Sequence, residues 1–381
     1  MKKHLQIDPS QKFNASLLLF TTTAVQIGVG IHGFQSVIYK EAKQDAWISI
    51  IISFIAAHLV VFVMFKTLEM YGSDDIFGIQ INVFGKYLGN LMNLVLISYC
   101  LLAFFVVIRT YTEVINVWVF PDLSTSFITI TVLLIVIYTF SGGLRVIIGI
   151  CFFSYVLPLW ILAILLFPLE YANYNHVLPV FGSDLISILK GAYSMSFTIV
   201  GFEVLNVLYP FVKEQNKAKK YVHLGLLSTL AIYLFVMLIS LSFFSGEQLE
   251  KYIWATLTMF SIIRLPFIER IELFTICFWL IIILPNLCLY AWSAHRGFIR
   301  MIKVSEKKFI YIFSIIIFIG TLFVESRSQI KTINDFFGRL SFVLVFIYPF
   351  ILNAIANIKR LFSKLKKKKV ENREVESENA E

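Results

Sequence analysis

A single carboxylate, Glu203, stands beside Ser194, Ser196, Thr198, Gly201 and Asn206 in a segment that is otherwise apolar enough to cross a membrane. A carboxylate near the middle of a span is costly and faces a bundle interior or a wet cavity. Gly201 weakens the helix just before it, and irregular backbone at that depth survives where it lines a protein cavity. Two readings follow. One is a broken helix whose gap holds a small polar ligand. The other is a packed contact between helices, with Gly201 allowing close approach and the hydroxyls bonding back to their own helix.

A second run of this kind is Gln26-Ile27-Gly28-Val29-Gly30-Ile31-His32-Gly33. Unwinding there would free backbone amides and carbonyls able to bind a zwitterion, and a small-residue packing face is equally compatible. It is not a phosphate loop, because no strand precedes it and no Lys-Ser/Thr follows. His32, alone near the end of a span, reads as a packing residue. Tyr99, Ala103, Val106, Thr110 and Glu113 share one helical face. Tyr99 and Ala103 fall near mid-membrane, where they could wall a site. Arg109 and Glu113, one turn apart, are expected to pair with each other as structural glue, with a charge-coupling role as the alternative. Asn286 and Tyr290 are also one turn apart and follow Pro285, whose ring removes a backbone hydrogen bond and frees a carbonyl. Either residue could touch a ligand or simply bond across helices. No nucleophile stands at usable spacing from a base and no metal set is present, so no catalytic residue, metal site or cofactor is expected. Cys100, Cys151, Cys277 and Cys288 have no paired spacing and read as small hydrophobes.

The elements that must position these residues are membrane spans. Of the 381 residues, 58% are hydrophobic and 15% charged, the composition of a polytopic membrane protein. Ten spans are expected, at 14–37, 46–67, 88–118, 125–141, 144–168, 184–209, 220–244, 268–294, 308–325 and 335–357. With that count, 23 basic residues fall on the side holding both termini and 7 on the other, which makes both termini cytoplasmic. The net charge of +9 is thus a topology signal, to be shared with membrane lipid; no nucleic-acid partner is expected. The chain divides into a cytoplasmic segment 1–13, a membrane domain 14–358, and a tail 359–381 that is polybasic, then acidic and expected to be disordered. Residues 74–90 read as an interfacial amphipathic helix. Residues 246–270 read as a helix lying over the bundle, able to act as a lid.

Divided five and five, the two interrupted spans are the first and the sixth. The expectation is an all-α polytopic membrane protein with ten transmembrane helices, a 5+5 inverted repeat with broken helices 1 and 6, and a midplane site between them.

The run Phe197-Thr198-Ile199-Val200-Gly201-Phe202-Glu203 resembles the sixth-helix motif of the amino acid, polyamine and organocation transporter superfamily. More closely, the chain resembles the spore germination permeases, the B subunits of nutrient germinant receptors. The resemblance runs from about Asn14 to Phe362. It is carried by Gln26 to Ile31, Phe84 to Gly89, Arg109 to Glu113, Leu178-Pro179-Val180, Leu189 to Ala192, Gly201 to Glu203 and Leu208 to Phe211. It implies a subunit in the spore inner membrane that recognises an amino acid or similar small nutrient and works with A and C subunits to start germination. By similarity the ligand cradle falls at Gly28 and Gly30, Phe197, Thr198 and Gly201. Tyr99, Ala103, Asn286 and Tyr290 join it on expected depth and facing. Glu203 would stabilise the unwound segment or couple to a proton. The alternative function is a secondary amino acid transporter coupled to H+ or Na+, which shares the architecture.

Overall fold

The computed structural model describes residues 8–362 apart from 73, 265, 267 and 303. In chain order the helices are α1 (Leu17–Gln26), α2 (Phe34–Ala42), α3 (Ala46–Tyr71), α4 (Ile76–Phe84), α5 (Lys86–Trp118), α6 (Thr125–Ser141), α7 (Gly143–Val156) and α8 (Leu159–Ile164). The second half holds α9 (Leu185–Ser196), α10 (Leu205–Leu208), α11 (Gln215–Phe243), α12 (Gly246–Lys251), α13 (Ala255–Ile262), α14 (Ile271–Met301), α15 (Glu306–Leu322) and α16 (Arg327–Ser341). After α16 the chain passes through a π-helical turn, Phe342–Ile347, and stays helical to 362. Among the described residues no strand forms; one parallel bridge joins Phe13 to Val212.

Among the described residues six helical stretches are long and apolar enough to cross a membrane: Phe34–Tyr71, Lys86–Trp118, Gly143–Tyr171, Gln215–Phe243, Ile271–Met301 and Arg327–Phe362. Each of the ten expected segments coincides with a helix or a pair of half-helices, yet length and hydropathy account for six crossings rather than ten. The first and sixth are interrupted, α1 having 10 residues and α9 having 12. α6 and α15 are shorter, at 17 residues each. Ile55, Leu59, Leu134, Ile312 and Ile315 are exposed on the rim of the bundle, which suits a lipid surround.

The interruptions have local causes. After Gln26 the backbone turns extended at Ile27 and Gly28, and a 3-10 turn, Val29–His32, leads into α2. After Ser196 it leaves the helix and passes through Gly201 at φ +123°, a conformation suited to glycine. Pro285 lies inside α14, which runs on as a continuous helix past it.

The segment expected to lie at the interface packs onto the bundle. α4 buries Ile76, Phe77, Ile79, Gln80 and Val83, and only past its end, at Tyr87, does the chain become strongly exposed. The cause is ionic. Asp75 caps α4 by accepting from Gly78 N at 3.0 Å and pairs with Arg296 (3.0 Å) and Arg300 (2.9 Å) of α14, while Asp74 pairs with Arg300 at 2.6 Å. These pairs draw α4 into the bundle. At the same end, Phe13 N donates to Phe211 O (3.0 Å) and Lys213 N to Phe13 O (2.9 Å), tying the N-terminal segment to the turn after α10. Of the tail, residues 359–362 continue the last helix, and the remainder lies outside the described residues.

Candidate functional site

The two interrupted helices face each other, and side chains fill the bonds that the breaks release. Val25 O accepts from Asn286 Nδ2 at 2.8 Å, Gln26 O from the Tyr233 hydroxyl at 3.1 Å, and Ile199 O from Gln26 Nε2 at 2.9 Å. At the second break the Gly201 N–H donates to Glu203 Oε2 at 2.6 Å. Glu203 Oε1 accepts from Tyr99 (2.7 Å) and Tyr290 (3.1 Å). No cation pairs with Glu203 among the described residues; three donors carry the carboxylate instead.

Between the half-helices lies a cavity of about 300 Å³. Gly28, Gly30, Phe197, Thr198, Asn286 and Tyr290, each singled out in the sequence, line it. Val106 and Thr110 of α5 join them. A separate cavity of about 40 Å³ lies against Tyr99, Cys100, Glu203 and Tyr290. Among the described residues Tyr290 alone borders both. Tyr99 therefore belongs to the smaller space. Ala103 and Gly201 line neither: Ala103 is fully buried, and a Cβ at Gly201 would run into the Val25 carbonyl.

Arg109 and Glu113 do not pair with each other. The Arg109 guanidinium donates to the carbonyls of Val324 (2.7 Å) and Glu325 (3.2 Å), satisfying the chain where α15 has ended. Glu113 pairs with Arg327, at the start of α16, at 2.8 Å. Both residues thus fasten α5 to the α15–α16 connection. His32, without an assigned role in the sequence, packs on Trp279 with ring centroids 4.1 Å apart.

Several wall residues lay beyond sequence reasoning. α16 contributes Asn334, Asp335, Phe337 and Gly338, and Gln26 joins them from the end of α1. Asp335 carried a signal, an acid at the start of the last span. Gly338 did not: its place depends on the Phe197 ring, which a Cβ there would touch at 2.8 Å.

Ile253 and Trp254, between α12 and α13, line the cavity at the end taken here as its mouth. Trp254 stacks under Arg327, 4.6 Å from the ring centroid. Lys43, past α2, bonds Glu250 of α12. That hydrogen bond and the Lys43 charge hold the Glu250 carboxyl below its ordinary range. At the opposite end the ion pairs of Asp74 and Asp75 with Arg296 and Arg300 fasten the start of α4 to α14.

Comparison with known proteins agrees with this architecture. Residues 12–330 match the family model described as spore germination protein. Spore germination protein GerQB of Bacillus cereus is 34% identical over 93% of this chain and 98% of its own length. Spore germination protein A2 of Bacillus subtilis (strain 168) is 25% identical over 84% and 88%. Among solved structures, MhsT in complex with L-phenylalanine superposes with a TM-score of 0.61, 15% identity, and coverage of 89% of this chain and 87% of that one. This likeness shows that the two proteins share a helical fold. The chain, a multi-pass membrane protein, belongs to the spore germination protein family.

Proposed function

We propose that this chain is the germinant-recognition subunit of a spore nutrient receptor. It binds an amino acid or similar small nutrient between broken helices 1 and 6 and signals to A and C subunits. The observation that carries this reading is the cavity of about 300 Å³ walled by both interruptions, at the position where broken-helix folds place their ligands. Its size suits a small organic solute. Gly28 and Gly30 present bare backbone to it, Thr198 a hydroxyl, and Phe197 and Phe337 apolar walls.

Binding alone signals nothing; the nutrient must favour one conformation over another. The half-helices are the elements to move, since both are short and joined to their neighbours by irregular backbone. The distribution of basic residues supports both termini facing the spore core across the inner membrane.

The competing reading is a secondary amino acid transporter coupled to H+ or Na+, favoured by the likeness to MhsT. The deciding experiment is nutrient-triggered germination of spores that depend on this receptor and carry Gly28→Ala, with subunit abundance monitored. Loss or change of nutrient preference at normal abundance supports recognition in the cavity. An unchanged response removes it, and radiolabelled uptake into vesicles then tests transport.

A further inference from the structure

Where α3 ends and α11 begins, two cations meet over one ring. Lys66 Nζ lies 4.5 Å from the centroid of the Phe62 ring, and Lys219 Nζ lies 4.2 Å from the same centroid. The two ammonium groups are therefore no more than about 9 Å apart. Neither forms an ion pair among the described residues. Of the neighbouring acids, Glu214 accepts from Ala15 N at 3.0 Å, and Glu69 makes no ion pair among the described residues. One turn from Phe62 and one turn from Lys219, the rings of His58 and His223 stack 4.9 Å apart and bond through their Nδ1 atoms at 2.6 Å. That bond joins one donor to one acceptor and adds no negative charge. Like charges gathered without a counter-charge repel each other, so this end of the seam calls for an anion.

Beside the charge the surface turns apolar. Ile55, Leu59, Phe62 and Lys66 stand at i, i+4, i+7 and i+11, one stripe of α3. Ile55 is 55% exposed, Leu59 58% and Phe62 38%. α11 repeats the order in steps of four, from Lys219 through His223 to the exposed Leu227. The stripe runs for about 16 Å along the helix, cationic at one end and apolar along the rest. A free phosphate would engage the cations alone. A molecule with an anionic headgroup and a long apolar chain matches both parts, and basic sites between helices at a membrane face hold such headgroups.

We infer that the seam between α3 and α11 binds an anionic phospholipid, with its phosphate between Lys66 and Lys219 and an acyl chain along Leu59 and Ile55. None of these residues lines the cavity between the half-helices, and the inference stands apart from the reading of that cavity. It bears on the half-helices all the same. Thr23 Oγ1 of α1 donates to Gly225 O of α11 at 3.2 Å, and Ser49 Oγ of α3 donates to Ile188 O of α9 at 2.8 Å. The lipid thus clamps together the two helices on which α1 and α9 rest.

The test is native mass spectrometry of the full-length chain in detergent, titrated with phosphatidylglycerol or with phosphatidylcholine of the same acyl chains. Phosphatidylglycerol should bind about tenfold or more tightly. Lys66→Gln and Lys219→Gln should each weaken it about fivefold, the effect of one lysine near an anionic headgroup, and leave phosphatidylcholine unchanged. Lys66→Arg with Lys219→Arg keeps both charges and should keep the binding; loss there as well would show that charge is not what holds the lipid and would overturn the inference. Lys213→Gln with Lys217→Gln removes two charges from the same end of the bundle, away from the Phe62 ring, and should cost less than about twofold. An equal loss in that control would mean diffuse attraction rather than a site. Equal affinity for the two lipids, or no loss in either glutamine variant, would also overturn the inference. Glycerol 3-phosphate, the headgroup phosphate without acyl chains, should bind about tenfold or more weakly than phosphatidylglycerol; equal binding would show a phosphate site and not a lipid site.

Discussion

The N–H of Gly201 lies 2.6 Å from Oε2 of Glu203, two residues further along the same chain. The carboxylate thereby closes the gap that its own helix opened. Its other oxygen reaches Tyr99 of α5 and Tyr290 of α14, so a single side chain sets the conformation of the break and fastens it to two neighbouring helices.

Glu203→Gln should therefore lower stability. The amide brings one acceptor oxygen where three donors converge, and in either orientation it faces a donor with its NH2 or forces both tyrosyl hydroxyls to turn. One unpaired buried donor costs about 1–3 kcal/mol. Thermal unfolding of the solubilised protein checks this, and Tyr99→Phe, which removes one donor, should cost less than Glu203→Gln. A Glu203→Gln protein that melts with the wild type would sink the idea that this carboxylate holds the break.

Two glycines of the expected cradle should behave differently. Gly28 is extended, and a Cβ there would meet its nearest neighbour, Asn286 Nδ2, at 3.8 Å. Gly28→Ala should fold normally and impair nutrient response by occupying the cavity. Gly201 sits at φ +123°, with its Cβ direction blocked by the Val25 carbonyl. Gly201→Ala should cost about 1–3 kcal/mol in backbone strain, with displacement of helix 1 in addition, and should be seen as lost protein rather than altered preference. Immunoblots alongside germination assays separate the two; equal abundance of both variants would contradict this assignment.

The contrast shows what the sequence could carry. Glycines and hydroxyls in an apolar span betray an interruption, because lipid penalises unsatisfied backbone whatever the tertiary packing. The breaks at Gly28 and Gly201 were legible for that reason. Helical spacing also places Arg109 near Glu113, but proximity along one helix says nothing of better partners elsewhere. The bare carbonyls of Val324 and Glu325 take the guanidinium, and Arg327 takes the acid. The same limit hid Gln26 and, on α16, Gly338, whose place in the wall is fixed by how it meets the Phe197 ring.

The acidic and basic cluster at the end opposite the mouth should act as a closure. Arg296 and Asp75 are buried, and removal of one partner from a buried pair costs about 3–5 kcal/mol. Arg296→Ala should loosen α4 from α14 and raise the labelling of a cysteine introduced at Asn206, which lines the smaller cavity. The double variant Arg296→Ala with Asp75→Ala should cost less than the sum of the two single changes. Additive costs would show that the pair is not coupled. Unchanged labelling at position 206 would show that the cluster does not guard the cavity from that end.

The meeting of the two half-helices can be tested by compensation. A Cβ on Gly30 would approach Thr198 Cγ2 to 3.1 Å, closer than methyl groups sit in comfort. Gly30→Ala should press the first interruption against the second and weaken nutrient response. Thr198→Ser removes the methyl and keeps the hydroxyl, so on its own it should have a small effect. If the two residues face each other across the site, Gly30→Ala with Thr198→Ser should recover much of the response lost in Gly30→Ala alone, with a coupling of about 0.5–3 kcal/mol in apparent affinity. The recovery must be specific: Thr198→Val, which keeps the bulk and loses the hydroxyl, should not restore Gly30→Ala. A double variant no better than Gly30→Ala would mean that the breaks do not pack as described, and that the cavity between them has another shape when the protein responds.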